Sequence, residues 1–151
     1  MDLKDMHIQQ IENLMKYEFK YLVQESKEEG FKFLQKLINE YENELNTFNK
    51  SGECLYGIFQ GEKLIGIGGL NADPYTENNK IGRLRRFYIT KDYRRIGLGN
   101  LLLKRLLYHA EKYFKVVVLH TDTKQGDAFY IANGFVKGEL CKGSSHYKVL
   151  Y

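Results

Sequence analysis

Arg94-Arg95-Ile96-Gly97-Leu98-Gly99-Asn100 decides the reading of this chain. The stretch follows a strand-like run at 84–89 and opens an amphipathic helix expected over 98–114, with Leu98, Leu102, Leu106 and Ala110 along one side. A strand, a basic glycine-spaced turn and a helix, in that order, build an anion site. The first amides of a helix have no partners within it, and the helix dipole adds partial positive charge there. Glycines at 97 and 99 let a phosphate approach the backbone closely, and two arginines add full charge at the same turn.

Working outward, Val116 to Thr121 is a continuous apolar run, as expected of a central strand buried on both faces. The strand near Phe87, the helix and this run form a crossover unit, so the two strands are parallel neighbours. The glycine turn then lies at the carboxyl end of the first strand, where ligands bind in open α/β sheets. Upstream, 54–60 and 63–70 read as a hairpin closed by Gly61-Glu62. Residues 71–80 read as a polar loop holding the only proline, Pro74. A short first strand is expected over 6–11, then helices over 13–29 and 31–48. Downstream, 125–132 reads as a short helix, and 135–138 with 147–151 as a last pair of strands.

The strand before the turn has a second signature. Core-type residues fall at Leu84, Phe87 and Ile89, a spacing of three and then two. Strict alternation would give two and two. An extra residue near Arg85-Arg86 therefore makes a β-bulge, which would splay this strand from the one at Leu119.

Composition bounds the answer. The chain has 151 residues, 43% hydrophobic and 28% charged, with 12 Tyr and 9 Phe. That suits a single globular domain over 1–151 with a real core. A net charge of +4 suits an anionic cofactor and is too mild to imply nucleic acid. Cys54 and Cys141 are far apart and show no metal-ligand spacing, so no metal is expected. No apolar run is long enough to span a bilayer, and the start lacks a signal core. A cytoplasmic protein with reduced thiols and no membrane partner is expected.

These residues resemble the GNAT superfamily of N-acetyltransferases. The family's pyrophosphate loop, Gln/Arg-x-x-Gly-x-Gly/Ala, is matched by Arg94 to Gly99. Its preceding Leu-x-Val strand end is matched by Phe87-Tyr88-Ile89. Its aromatic pair and Gly-Phe are matched by Phe129-Tyr130-Ile131-Ala132-Asn133-Gly134-Phe135. The resemblance runs from about Glu53 to Phe135. It implies an α/β fold with a mixed, mostly antiparallel sheet, a central parallel pair splayed by a bulge, and helices on both faces. It implies acetyl-CoA as co-substrate and a small-molecule amine or protein amine as acceptor. A homodimer is expected from the habit of small members.

By the same resemblance, Phe87, Tyr88, Ile89, Arg94, Arg95, Ile96, Gly97, Leu98, Gly99, Asn100 and Thr123 bind the cofactor. The backbone of Phe87 and Ile89 meets the pantetheine arm, and Thr123 stands where relatives often have Asn. Gly126 stands where a small residue lets the chain pass close to the cofactor. Tyr130 matches the tyrosine near the coenzyme sulfur and is the candidate general acid. Many relatives carry Glu where this chain has Arg85, and no carboxylate occurs from Lys80 through Lys91. The base is then a water chain or one of His120, His146, Asp73 and Glu53.

Arg85 is a candidate substrate-binding residue. It would pair with a carboxylate or phosphate of the acceptor, with help from Arg83 and Arg86; the alternative is an ion pair within the chain. Three function classes remain open at this stage. The first is an N-acetyltransferase. The second is an acetyl-CoA-binding sensor without turnover. The third is a nucleic-acid-binding domain using Arg83, Arg85, Arg86, Arg94 and Arg95, which the absence of an aromatic-basic RNA motif disfavours.

Overall fold

The structure, a computed structural model, describes residues 4–150. Among the described residues seven strands form one sheet in the order β1-β2-β3-β4-β5-β7-β6. The first four, β1 (Met6–Gln10), β2 (Cys54–Gln60), β3 (Lys63–Ala72) and β4 (Ile81–Ile89), pair antiparallel in succession. β4 then pairs parallel with β5 (Val116–Leu119), and β7 (His146–Val149) and β6 (Val136–Lys137) complete the sheet antiparallel. Helices α1 (Lys20–Glu28) and α2 (Phe33–Glu42) cover one face; α3 (Leu98–Ala110) packs on the other.

Two apolar clusters follow from this layering. On one face Leu102, Leu103, Leu106 and Ala110 of α3 are fully buried against Ile58, Ile65 and Val117. On the other, Leu22, Leu34 and Leu37 of α1 and α2 pack with Leu55, Phe59, Leu64 and Ile67. Each such Leu, Ile, Val or Phe side chain contributes about 1.5–3 kcal/mol. The central strands therefore read as apolar on both faces, while β6 at the edge is exposed.

The bulge is present where the spacing placed it. Ile67 pairs with Tyr88 and Gly69 with Arg85, so the single residue Gly68 opposes two, Arg86 and Phe87. Arg86 takes a positive φ of 58°. Pairing of β4 with β5 covers only Ile81–Val116, Gly82–Val117 and Arg83–Val118. Beyond Arg83 the two strands part. Phe87 and Leu119 belong to the parallel pair but are not registered against each other.

Several expected boundaries are corrected. The helix expected over 13–29 is a 3₁₀ turn, Leu14–Lys16, followed by α1. Asn13 accepts the Met15 N–H at 3.1 Å, and Tyr17 is extended, which ends the turn. The helix expected over 31–48 ends at Glu42. Asn43 accepts the Leu45 N–H and Asn46 accepts the Phe48 N–H, local bonds that compete with helix continuation. Leu45 is consequently exposed, while Phe48 reaches the core at positive φ. α3 stops at Ala110 rather than 114, and Phe114 still caps the core. β3 runs through Ala72, so the loop starts at Asp73. The last pair is shorter than expected, and Tyr151 lies outside the described residues. No helix among the described residues is long and apolar enough to cross a membrane.

Candidate active site

Gly97 caps α3 in the left-handed region, φ 88°, and a Cβ built there meets nothing within 4 Å. The first bond into the helix runs from Leu101 N–H to Gly97 C=O at 3.2 Å. Helix geometry then leaves the amides of Leu98, Gly99 and Asn100 directed out of the helix end. Leu98 is buried and anchors the turn, while Arg95, Ile96 and Asn100 are exposed at its rim. Asn100 Oδ1 accepts from Asn133 Nδ2 at 3.0 Å, tying the start of α3 to the end of α4 (Lys124–Ala132).

The free edge of β4 adjoins this mouth. Thr90 N–H bonds Ile65 C=O on the β3 side, so the Ile89 peptide groups face the opposite edge. There the Ile89 carbonyl accepts from Arg94 Nε at 2.8 Å. Tyr88 is not brought to this edge. It pairs with Ile67, and its ring packs in the cluster formed with α1 and α2.

Arg94 is committed within the chain on all three nitrogens. Its guanidinium forms a two-pronged pair with Glu29 at the end of α1, at 2.8 and 2.6 Å, and lies over the Tyr88 ring. Tyr88 OH donates toward Glu25 and Glu29, and Glu25 also accepts from Thr90 Oγ1 and Lys91 N–H. α1 is thus clasped to the start of the glycine turn. The positive side chain left at the turn is Arg95. The sequence carried a signal for this clasp: Glu25 and Glu29 stand four apart and share a helix face.

The Arg94 hydrogen bonds lower the Glu29 pKa from the ordinary 4.5 to about 2. A depressed folded-state value stabilises the protein above the unfolded pKa and loses that contribution as pH falls through the folded one. The pair is partly exposed, so its worth is about 1 kcal/mol or less. Glu29→Gln should therefore lower Tm at pH 6 by about 1–3 °C, with the difference shrinking as pH falls below about 4 and gone only below the folded value of about 2. Thermal melts of both proteins across this range check the prediction.

Tyr130 lies on α4, buried among Phe87, Phe129 and Phe135 with ring centroids 6.3, 5.0 and 5.5 Å away. Phe87 is the residue just past the bulge, so the phenol is carried to the parting strands. No hydrogen bond to its hydroxyl occurs among the described residues, and burial pushes its pKa up from 10. His146 packs beside it at 6.4 Å, with Nε2 at 2.7 Å from Asp127 Oδ1 and Nδ1 at 2.7 Å from Ser145 Oγ. Asp127 and Tyr130 are one turn apart on α4. The His146–Asp127 contact therefore fixes the helix that holds the phenol.

Thr123 is the N-cap of α4. Its hydroxyl accepts the Gly126 N–H at 3.0 Å, leaving its own proton to donate. Gly126 has a local reason to lack a side chain: a Cβ there would fall 2.2 Å from Thr121 Oγ1.

Of the residues considered as base, three are engaged. His146 is held as described. Asp73 pairs with Arg83 Nε at 2.7 Å, deep in the protein. Glu53 accepts from Lys50 N–H, Asn71 Nδ2 and Ala72 N–H. His120 is exposed at the end of β5. Cys54 is buried and its thiol pKa is pushed up to about 12, the opposite of an activated nucleophile. Cys141 is only partly buried.

The mouth of α3, the stretch of β4 beyond its pairing with β5 and the buried Tyr130 phenol beside Phe87 are thus carried by neighbouring elements of the fold. Residues 51–137 match the acetyltransferase (GNAT) domain family, and the chain belongs to that family. Over 70 residues it is 39% identical to a probable spermine N(1)-acetyltransferase of Bacillus subtilis subsp. natto, a match covering 42% of this chain and 46% of that one. Its fold is shared with a protein from Exiguobacterium sp. 255-15 at TM-score 0.85, 23% identical over 96% of this chain and 93% of that one. An acetyltransferase from Streptococcus agalactiae matches at TM-score 0.78, 22% identical over 97% and 99%. A GNAT family acetyltransferase from Elizabethkingia anophelis with acetyl-CoA bound matches at TM-score 0.62, 19% identical over 90% and 79%.

Proposed function

We propose that this domain, residues 1–151, transfers an acetyl group directly from acetyl-CoA to a primary amine. The observation that carries the reading is the conjunction of the Gly97 turn with Tyr130 at the parting of β4 from β5. The residues present fit the coenzyme. The amides of Arg95 to Asn100 and the Arg95 side chain would hold the diphosphate. The free edge of β4 near Phe87 and Ile89 would take the pantetheine as an added strand, with Thr123 donating its hydroxyl proton to it. Bound acetyl-CoA supplies the activated acyl thioester.

The chain's own groups then do three things. The β4 edge and the helix mouth hold the thioester in one orientation, which by itself lowers the barrier. A backbone amide near Phe87 faces the developing oxyanion. Tyr130 keeps a proton at its hydroxyl for the departing sulfur, since burial raises its pKa well above neutral.

The amine's own proton leaves to solvent water: Asp73, Glu53 and His146 are committed to other bonds, and His120 stands exposed to that solvent with nothing to orient it as a fixed base. In consequence kcat/KM should rise with pH along the titration of each acceptor's own amine, shifting from acceptor to acceptor. Profiles for two amines of different pKa check this; a shared inflection would point to a base on the protein.

The absence of a strand carboxylate favours a second reading, an acetyl-CoA sensor without turnover. Coenzyme A release with an amine panel separates the two. Release above the rate without amine supports transfer; tight binding with no release supports the sensor.

A further inference from the structure

Three arginines lie around the β4 bulge, and they are not equivalent. Arg83 is consumed: its Nε meets Asp73, and its other nitrogens donate to the Gly143 and Lys142 carbonyls at 3.1 and 2.8 Å. Arg86 has one acidic neighbour, Glu40 of α2, at 3.3 Å. Its side chain is 9% exposed, and its Nε is buried with no partner among the described residues. Arg85 makes no ion pair among the described residues. Its hydrogen bond is a long one, 3.4 Å to Asn71 Oδ1. That oxygen already accepts from Asn46 Nδ2 at 3.0 Å, and Glu53 faces the other end of the Asn71 amide, bonded to Nδ2.

The bulge therefore gathers two guanidinium charges and one directly paired carboxylate. The imbalance has an electrostatic mark: burial and the charge of Arg85 both push the Arg86 pKa down. A half-buried excess of positive charge is costly unless an anion completes it. The next residue along the strand, Phe87, packs with the α3 cluster and is in ring contact with Tyr130, so the charge excess and the phenol flank the same stretch of β4 from its two faces, where that strand has left β5.

We infer that the acceptor is a primary amine bearing an anionic group, carboxylate or phosphate, a few bonds from its nitrogen, and that Arg85, backed by Arg86, receives that group. The inference rests on the acetyl-transfer reading above and names its substrate class. It separates this chain from what the name of the Bacillus relative describes. A polyamine would bring its spare ammonium groups against two guanidiniums, and such like-charge contact is a means of exclusion.

The test measures coenzyme A release by the full chain with four probes: a short amino acid, phosphoethanolamine, propylamine and spermidine. The expected result is a kcat/KM for one or both anionic probes about tenfold or more above propylamine, with spermidine lowest. Tenfold is the scale of one charge-assisted hydrogen bond. The amino acid and phosphoethanolamine arms distinguish carboxylate from phosphate. In Arg85→Gln the anionic-to-neutral ratio should fall to about one, while Arg85→Lys should retain part of it. Equal rates with and without the anion, preference for spermidine, or an unchanged ratio in Arg85→Gln would each overturn the assignment.

If acetyl-CoA binds and no probe is turned over, the transfer reading fails, and the anion site is judged by binding alone. Thermal protection of the wild type by an anionic probe, lost in Arg85→Gln, sustains it; no protection overturns it.

Discussion

Gly97→Val is expected to lower acetyl-CoA affinity by about a hundredfold while leaving the protein folded. The cause is backbone strain rather than collision. Gly97 has φ 88°, and a side chain there would enter open space. An L-residue held in this region costs about 1–3 kcal/mol, and a β-branched one lies at the severe end. The exposed turn relieves that strain by changing its dihedrals, and in doing so it turns the amides of Leu98 and Gly99 away from a common focus. Stability should change little, because the α3 core contacts begin at Leu98 and Leu102, beyond the turn. Gly97→Asn should recover most of the affinity, since Asn tolerates the left-handed region. Calorimetry with acetyl-CoA on the three proteins decides the matter. Equal binding by all of them would remove the diphosphate cradle from the account.

Tyr130→Phe is expected to lower kcat by about 10²-fold with little change in the Kd for acetyl-CoA. That loss corresponds to about 2.7 kcal/mol of transition-state stabilisation, within the range of general acid catalysis. The substitution keeps the ring contacts with Phe87, Phe129 and Phe135 and deletes only the hydroxyl, which has no hydrogen-bond partner among the described residues. Packing and stability should therefore be nearly unchanged. The sign of the pH effect follows from the raised pKa. The phenol remains protonated up to a higher pH than a free tyrosine, so the loss should be constant from pH 6 to 9. Single-turnover rates across that range are the measurement. A kcat unchanged by the substitution would leave Tyr130 as a core residue only.

Asp127→Ala should give a smaller loss through the same helix, and Asp127→Asn should be close to wild type. An amide oxygen can still accept from His146 Nε2, whereas alanine leaves that buried nitrogen without its partner. Paired kcat values for the two variants distinguish orientation of α4 from a need for charge at this place.

The strands were legible because apolar runs and their spacing survive local context. β2 was bounded to the residue, and the bulge followed from Leu84, Phe87 and Ile89 alone. The first two helices were overextended because Asn13, Asn43 and Asn46 divert backbone N–H groups into local bonds, which apolar periodicity does not register. The turn itself was readable, since glycine spacing and helix start are local properties. What Arg94 and Arg83 do was not. Their partners Glu29 and Gly143 lie 65 and 60 positions away, Asp73 meets Arg83 only across the loop between β3 and β4, and a charge cannot be assigned to a ligand or to the chain before its neighbours are known. The same held for His146, whose contact with Asp127 arises only when β7 docks beside α4.

The link between Glu29 and Arg94 spans 65 positions of the chain. Its consequence concerns transplantation. Moving the segment 81–137 into another scaffold would carry over the sheet edge, the glycines and the phenol, yet omit the acid that keeps one arginine out of the opening. Released from that restraint, the guanidinium would be free to swing over the entrance, and the graft would hold phosphate more loosely oriented than the parent does. Any such chimera should therefore import the first helix as well.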